Sequence, residues 1–448
     1  MKKFLFSLTM VSMVVAIAAP LTVQSAAVEV TSAGEAFVEL LVKGDFAGAV
    51  GQFDDRMRTA LPEPKLRETW QTIQTQSGPF QKQLGVRATK ASGYDIVLVT
   101  CQFKQKALDA KVVFDAKGRV AGLFFVPSHP AANPNEPPPY ARTNAFREKD
   151  FTVGRGEWRM PGTLTLPATG AGPWPAVVLV HGSGPGDRDE TVGANKPFRD
   201  LAWGLATKGV AVLRYEKRTK EYADKLVADG LGHFTVREET IDDALSAAAQ
   251  LRAVDGLDPK RIFVLGLSLG ATVAPRIGQA DPNLAGLIIM AGATRPLEDL
   301  VIEQTDYLLS LGGNRSEQSS ATLNELRAGA AKVKKLTAAD ASSTALVMGA
   351  PPAYWLDLRE HDNVAIAKGL RQPLLILQGG RDYQVTEVDF NAWKEALGAQ
   401  PNATLKLYPN LNHLFMVGEG KSTPDEYEEP GHIAGPVVTD IAEWIGAR

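Results

Sequence analysis

RIFVLGLSLGA, residues 261–271, holds a strand, a sharp turn and the start of a helix, and it sets the fold class. Ile262, Phe263, Val264 and Leu265 form an apolar run of strand formers, and Gly266-Leu267-Ser268-Leu269-Gly270 follows at once. From Ala271 the pattern turns helical. G-x-S-x-G between a strand and a helix is a nucleophile elbow. A serine on such a tight turn projects its hydroxyl above the sheet edge. Glycines two residues to either side let strand and helix pass without a Cβ clash. Leu269 then presents a backbone N–H at the helix start, where it can stabilise a developing oxyanion.

A serine hydroxyl is a poor nucleophile until a base takes its proton and an acid orients the base. The partners are expected beyond later strands, in the order serine, acid, histidine. Leu375-Ile-Leu-Gln-Gly-Gly-Arg-Asp382 supplies the acid, with Gly379 and Gly380 opening the turn. Leu405-Lys-Leu-Tyr-Pro-Asn-Leu-Asn-His413 supplies the histidine. Ser268, Asp382 and His413 are therefore the expected triad. His361, His233 and His432 follow no strand and read as surface or capping residues. The second oxyanion donor is expected in His181-Gly-Ser-Gly-Pro-Gly186, where glycines free backbone N–H groups. The Ser183 N–H is the first choice and Gly184 the alternative, with His181 read as structural.

Strands alternate with helices on both sides of the elbow. Ala176–Val180, Val210–Leu213, Leu284–Met290, Pro373–Leu377 and Thr404–Tyr408 read as strands, and Phe151–Val153 with Trp158–Leu166 as a hairpin leading into them. Phe198–Lys208, Glu238–Val254 and Ile433–Ile445 read as helices. This alternation predicts a doubly wound, mostly parallel α/β sheet. One interval, about 295–368, has no good strand. Leu297–Leu311, Ser319–Leu336 and Asp340–Met348 read as helices there, and the insertion stands where a helical lid would cover the serine. Tyr354 and Trp355 follow Pro351-Pro352 and are expected to be exposed and to contact an apolar acyl chain.

Before that α/β domain, 141–448, three other segments are expected. In 1–27, Lys2 and Lys3 precede an apolar run, and small residues follow at Ser25, Ala26 and Ala27. That is the pattern of a secretory signal peptide, too short to span a membrane, and it implies an exported, periplasmic or secreted protein without a stable membrane anchor. Residues 28–127 read as a small α+β domain. Helices at Ala36–Leu41, Asp45–Phe53 and Leu66–Gln76 lead into strands at Arg87–Lys90, Asp95–Phe103, Ala110–Phe114 and Arg119–Phe125. Its GDFAGAVGQFD stretch, followed by a W-x-x-I helix, resembles small nuclear-transport-factor-two-like domains that precede some bacterial hydrolases. Cys101, the only cysteine of the chain, lies in an apolar strand and reads as core packing. Residues 128–140 are dense in proline and read as an extended linker.

The chain has 448 residues, 44% of them hydrophobic and 22% charged, with a formal net charge of −3. That balance and the lack of a long basic run give no footprint for nucleic acid. No histidine pair has metal-ligand spacing, so no metal or organic cofactor is expected. VLVHGSGPGDRDE, GLSLG, YWLDLREHD, LILQGGRDYQV and NLNHLF together resemble bacterial secreted alpha/beta-hydrolases of the serine-esterase type that carry a small N-terminal domain of unknown function. The resemblance implies a nucleophile, acid and base at Ser268, Asp382 and His413, and a small-molecule acyl ester as substrate. Serine exopeptidase or thioesterase action on the same fold is the alternative, and a non-catalytic binding protein a remoter one. One departure is Arg214-Tyr-Glu-Lys-Arg218, where relatives often read YDKRG: Glu216 replaces an aspartate and Thr219 a glycine. It bears on the shape of the adjacent pocket wall. Composition and motifs leave the oligomeric state open.

Overall fold

A computed structural model describes residues 23–448 apart from 92–93, 129–135, 229–233 and 312–316. The signal-peptide pattern up to residue 22, most of the proline-rich stretch, His129 and His233 lie outside the described residues. Two compact units make up the chain.

The first unit has helices at Val23–Lys43, Phe46–Gly51, Asp55–Ala60 and Glu63–Ser77. Strands β1 (Phe80–Ala91), β2 (Tyr94–Phe103), β3 (Ala107–Phe114) and β4 (Val120–Pro127) follow as an antiparallel meander in that order. Alternate residues of β2 and β3, among them Val97, Val99, Phe103, Ala110 and Val112, point into one core with Phe37, Leu41 and Trp70. Two short helices start on aspartate caps: Asp45 accepts from the Gly48 N–H and Asp54 from the Met57 N–H. The β3–β4 turn needs Gly118 at φ 71°, and the Asp115 carboxylate accepts the Lys117 and Arg119 N–H groups across it. Cys101 is a free, buried thiol pushed up to about 12 by burial, consistent with packing rather than reactivity.

The second unit is an eight-stranded sheet. Its strands are β5 (Phe146–Arg155), β6 (Trp158–Pro167), β7 (Trp174–Val180), β8 (Ala211–Tyr215), β9 (Leu257–Leu267), β10 (Gly286–Met290), β11 (Leu374–Gly379) and β12 (Ala403–Tyr408). The order across the sheet is β12-β11-β10-β9-β7-β8-β6-β5. Pairs from β8 to β12 are parallel; β6 pairs antiparallel with β8 and with β5. Both faces are covered, which is why β7 and β9 read as unbroken apolar runs. Val178 and Val180 join Val264 in the core under the helices Asp242–Leu251 and Leu269–Ala280. Val177 and Leu179 join Phe263 and Leu265 in the core under Pro197–Thr207 and Gly435–Gly446.

The insertion between β10 and β11 departs from expectation in its second half. Helices at Leu297–Leu311 and Glu317–Lys335 form, but Asp340–Met348 is not a helix. Asp340 instead closes the one-turn 3₁₀ helix Ala338–Asp340, its carboxylate accepting the Thr337 N–H and hydroxyl. Ser342, Ser343 and Thr344 follow, residues whose side chains compete for backbone groups and disfavour a helix. Two short helices, Pro352–Arg359 and Asn363–Gly369, complete the insertion.

Candidate active site

Ser268 sits between β9 and its helix at φ 56°, ψ −115°, a conformation that costs energy in a non-glycine residue. Its N–H donates to Met290 O on β10 at 2.9 Å, tying the elbow to the neighbouring strand. The flanking glycines are needed for close approach. A Cβ on Gly266 would stand 2.3 Å from the Gly270 carbonyl, and one on Gly270 2.3 Å from Val180 O.

Asp382 follows β11 and His413 follows β12. Asp382 Oδ1 accepts the N–H groups of Gln384 at 2.7 Å and Val385 at 3.0 Å. Its Oδ2 accepts from Gln378 Nε2 at 3.2 Å and lies 2.7 Å from His413 Nδ1. A carboxylate oxygen accepts, so the bond is written with His413 Nδ1–H as donor. The histidine loop is held in turn by Asn412 Oδ1, which accepts the Leu414 and Met416 N–H groups. His413 and Ser268 line one cavity of about 490 Å³ together with Gly182, Ser183 and Leu269.

Leu269 opens the helix Leu269–Ala280, so its N–H has no acceptor within that helix. In the loop after β7, the Gly182 N–H is already taken by Glu190 Oε1 at 2.9 Å. Ser183 comes next and lines the cavity, whereas Gly184 does not. His181 is buried between the rings of Phe198 and Tyr215, and burial pushes it down to about 3. It is therefore neutral, and its Nε2–H donates to Asp187 O at 3.0 Å. His432 stands against Asp200. His361 does line the cavity, with Nδ1 at 2.9 Å from the O of Asp357 on the preceding helix, Pro352–Arg359.

Residues 177–429 match the model of the alpha/beta hydrolase family. The chain belongs to that family. Residues 34–123 match a second model, a protein family of unknown function called DUF3887. Along 409 residues the hydrolase is 39% identical to Esterase EstD of Thermotoga maritima, covering 91% of this chain and 93% of that protein. Among solved structures it is similar to Est1E from Butyrivibrio proteoclasticus, at 14% identity over 67% of this chain and 99% of that one, with a TM-score of 0.42. It is also similar to a dienelactone hydrolase from Anabaena variabilis, at 16% identity over 68% and 98% of the two chains, with a TM-score of 0.41.

The expected contact of Tyr354 and Trp355 with substrate is corrected. Neither residue lines the hydrolase cavity. Pro351-Pro352 starts a helix that turns both rings inward, leaving Tyr354 9% and Trp355 4% exposed. The Tyr354 hydroxyl donates to Glu239 Oε2 at 2.6 Å, and Trp355 Nε1 to Val347 O at 2.7 Å. The apolar wall of the cavity comes instead from Leu297, Leu300, Val301 and Leu308 of the first inserted helix and from Leu358. Glu216 and Thr219 stand off the cavity; Glu216 takes bonds from Arg188 and Lys220.

Two charged residues of the site escaped the sequence reading. Glu190 is buried at φ 52° beside the loop after β7, and its Oε2 has no hydrogen-bond partner among the described residues. Burial lifts its carboxyl to about 7, against the pull of the Gly182 N–H and of Lys217. Lys217 Nζ donates to Gly182 O at 2.7 Å and pairs with Glu239 Oε1 at 2.6 Å. Glu190 lies in the DRDE stretch, and Lys217 in the YEKR stretch that the sequence associates with a pocket wall.

Proposed function

We propose that this hydrolase is an exported serine carboxylesterase that works through an acyl-enzyme on Ser268. Ester cleavage is supported by the identity to a protein named an esterase along nearly the whole of both chains. The observation that carries the mechanism is the 2.7 Å bond between Asp382 and His413 Nδ1, with His413 and Ser268 on one cavity. His413 Nε2 takes the Ser268 proton as Oγ attacks the acyl carbon. The N–H groups of Ser183 and Leu269 hold the resulting oxyanion. The imidazolium then protonates the departing alkoxide, and the alcohol leaves. Water, deprotonated by the same Nε2, attacks the acyl-enzyme and releases the acid. The leucine and valine wall favours an acyl chain of small or medium length. Export rests on the pattern of the first 27 residues alone; among the described residues no helix is long and apolar enough to cross a membrane.

A fluorophosphonate probe tests the nucleophile. One adduct is expected, mapped by mass spectrometry to Ser268, and Ser268→Ala should abolish it and lower kcat at least about a thousandfold. An adduct elsewhere, or a variant keeping more than about a tenth of the activity, overturns the assignment. The mass of the mature chain recovered outside the cytoplasm tests export.

A further inference from the structure

The peptide unit joining Gly182 to Ser183 carries the proposed oxyanion donor, and buried charge grips its other end. Gly182 O accepts a 2.7 Å bond from Lys217 Nζ. The Lys217 backbone N–H donates to Gly186 O at 3.0 Å, so one residue holds both ends of the turn. Behind the ammonium stands Glu239 Oε1 at 2.6 Å, and Glu239 Oε2 accepts the Tyr354 hydroxyl at 2.6 Å. Lys217 is 1% exposed and Glu239 5%. Glu239 reaches this place from a π-helical turn, Arg237–Ile241, at the start of its helix.

Burying an ion pair costs several kcal/mol per ion, and an apolar pair of like volume usually fills such a space more cheaply. The charge here falls on a particular carbonyl. An ammonium bonded to an amide oxygen fixes the amide plane and draws density from its nitrogen, which strengthens the N–H as a donor. The amide in question is the one whose N–H belongs to Ser183.

We propose that Lys217, held by Glu239 and Tyr354, is a positioning residue that aims and strengthens the Ser183 N–H toward the oxyanion. This rests on the serine-esterase reading above. It assigns Tyr354 a place in the machinery behind the loop, in exchange for the substrate contact it does not make. A purely architectural clamp would affect stability and leave the folded enzyme's turnover alone.

The paired replacement Lys217→Met with Glu239→Gln separates the two, because it removes both charges and strands neither. On a nitrophenyl butyrate the folded variant should lose roughly thirtyfold in kcat with KM within threefold. This is less than the hundredfold or more that follows loss of a donor outright. Affinity for a trifluoromethyl ketone, whose adduct with the serine bears an oxyanion, should fall by the same factor. A kcat within twofold of wild type overturns the proposal. Should the pair fail to fold, Tyr354→Phe removes one hydroxyl and no charge. A threefold loss in kcat at constant KM then supports the proposal, and an unchanged kcat overturns it. Ser268→Ala measured alongside separates the two readings. If it is inactive, the result bears on Lys217 alone; if it is active, the serine reading fails and the positioning role falls with it.

Discussion

The two sheets of this molecule bury different kinds of residue. Inside the antiparallel sheet β1–β4 the core is apolar and aromatic. Among the described residues it buries one carboxylate, Asp109, which accepts from Thr100 at 2.7 Å directly opposite in register and pairs with Arg87 at 2.8 Å. At the carboxyl ends of the eight-stranded sheet the chain buries His181, Glu190, Lys217, Glu239, Asp382 and His413. Buried charge is expensive and is kept where it serves. The larger sheet gathers many such groups at its strand ends, whereas the smaller sheet buries a lone carboxylate among mostly apolar side chains.

The largest test of that contrast is Asp382→Asn. Every group that bonds the Asp382 carboxylate does so as a donor, so an amide would turn an N–H₂ against one of them. Steady-state kinetics should show kcat reduced on the order of 10⁴-fold, the loss seen when a triad acid becomes an amide. A loss below about tenfold would place the acid elsewhere. Next comes Gly270→Ala. Its Cβ would meet Val180 O at 2.3 Å and His181 O at 2.6 Å, both backbone, so thermal unfolding should reveal a loss of several kcal/mol or no soluble protein. A variant as stable as wild type would mean that the elbow is not held this tightly.

Glu190→Gln probes buried charge directly. The Glu190 carboxyl is raised from its ordinary 4.5 to about 7, so it is held neutral in the fold at pH values where the unfolded chain ionises it. Its stabilising contribution is complete below about 4.5 and is lost as pH rises to about 7. Wild type should therefore lose stability relative to the glutamine variant across that window, by about 3 kcal/mol in denaturant titrations. Parallel curves at pH 4.5 and pH 8 would show that Glu190 is ionised in the fold. The smallest effect is expected on the other sheet. Cys101→Ala should cost about 1 kcal/mol of stability and leave kcat unchanged. A change in kcat would break the contrast and draw the first sheet into the reaction.

Much of the architecture could be read from the chain because its signals are local. Strands buried on both faces show as apolar runs, and Gly266, Gly270, Gly379 and Gly380 mark where the chain must turn sharply. The order of Ser268, Asp382 and His413 is legible for the same reason: each follows its own strand. What failed depended on distant contacts. Tyr354 and Trp355 look alike on an exposed or a buried face, and only the helix begun at Pro352 decides between them. Asp340 reads as the first residue of a helix, whereas its carboxylate closes on Thr337 and ends a single 3₁₀ turn. Lys217 and Glu239 are twenty-two positions apart in the sequence, and no periodicity brings them together.

Tyr354 belongs to the inserted segment, yet its hydroxyl ends on the carboxylate that holds Lys217. The inserted segment is thus stitched to the buried groups behind the loop after β7. Exchanging this segment for one without a phenol at this point would leave an oxygen of Glu239 without its partner. On the positioning role proposed for Lys217, an engineer who grafts a new segment onto this scaffold must carry the tyrosine across or expect a slower enzyme.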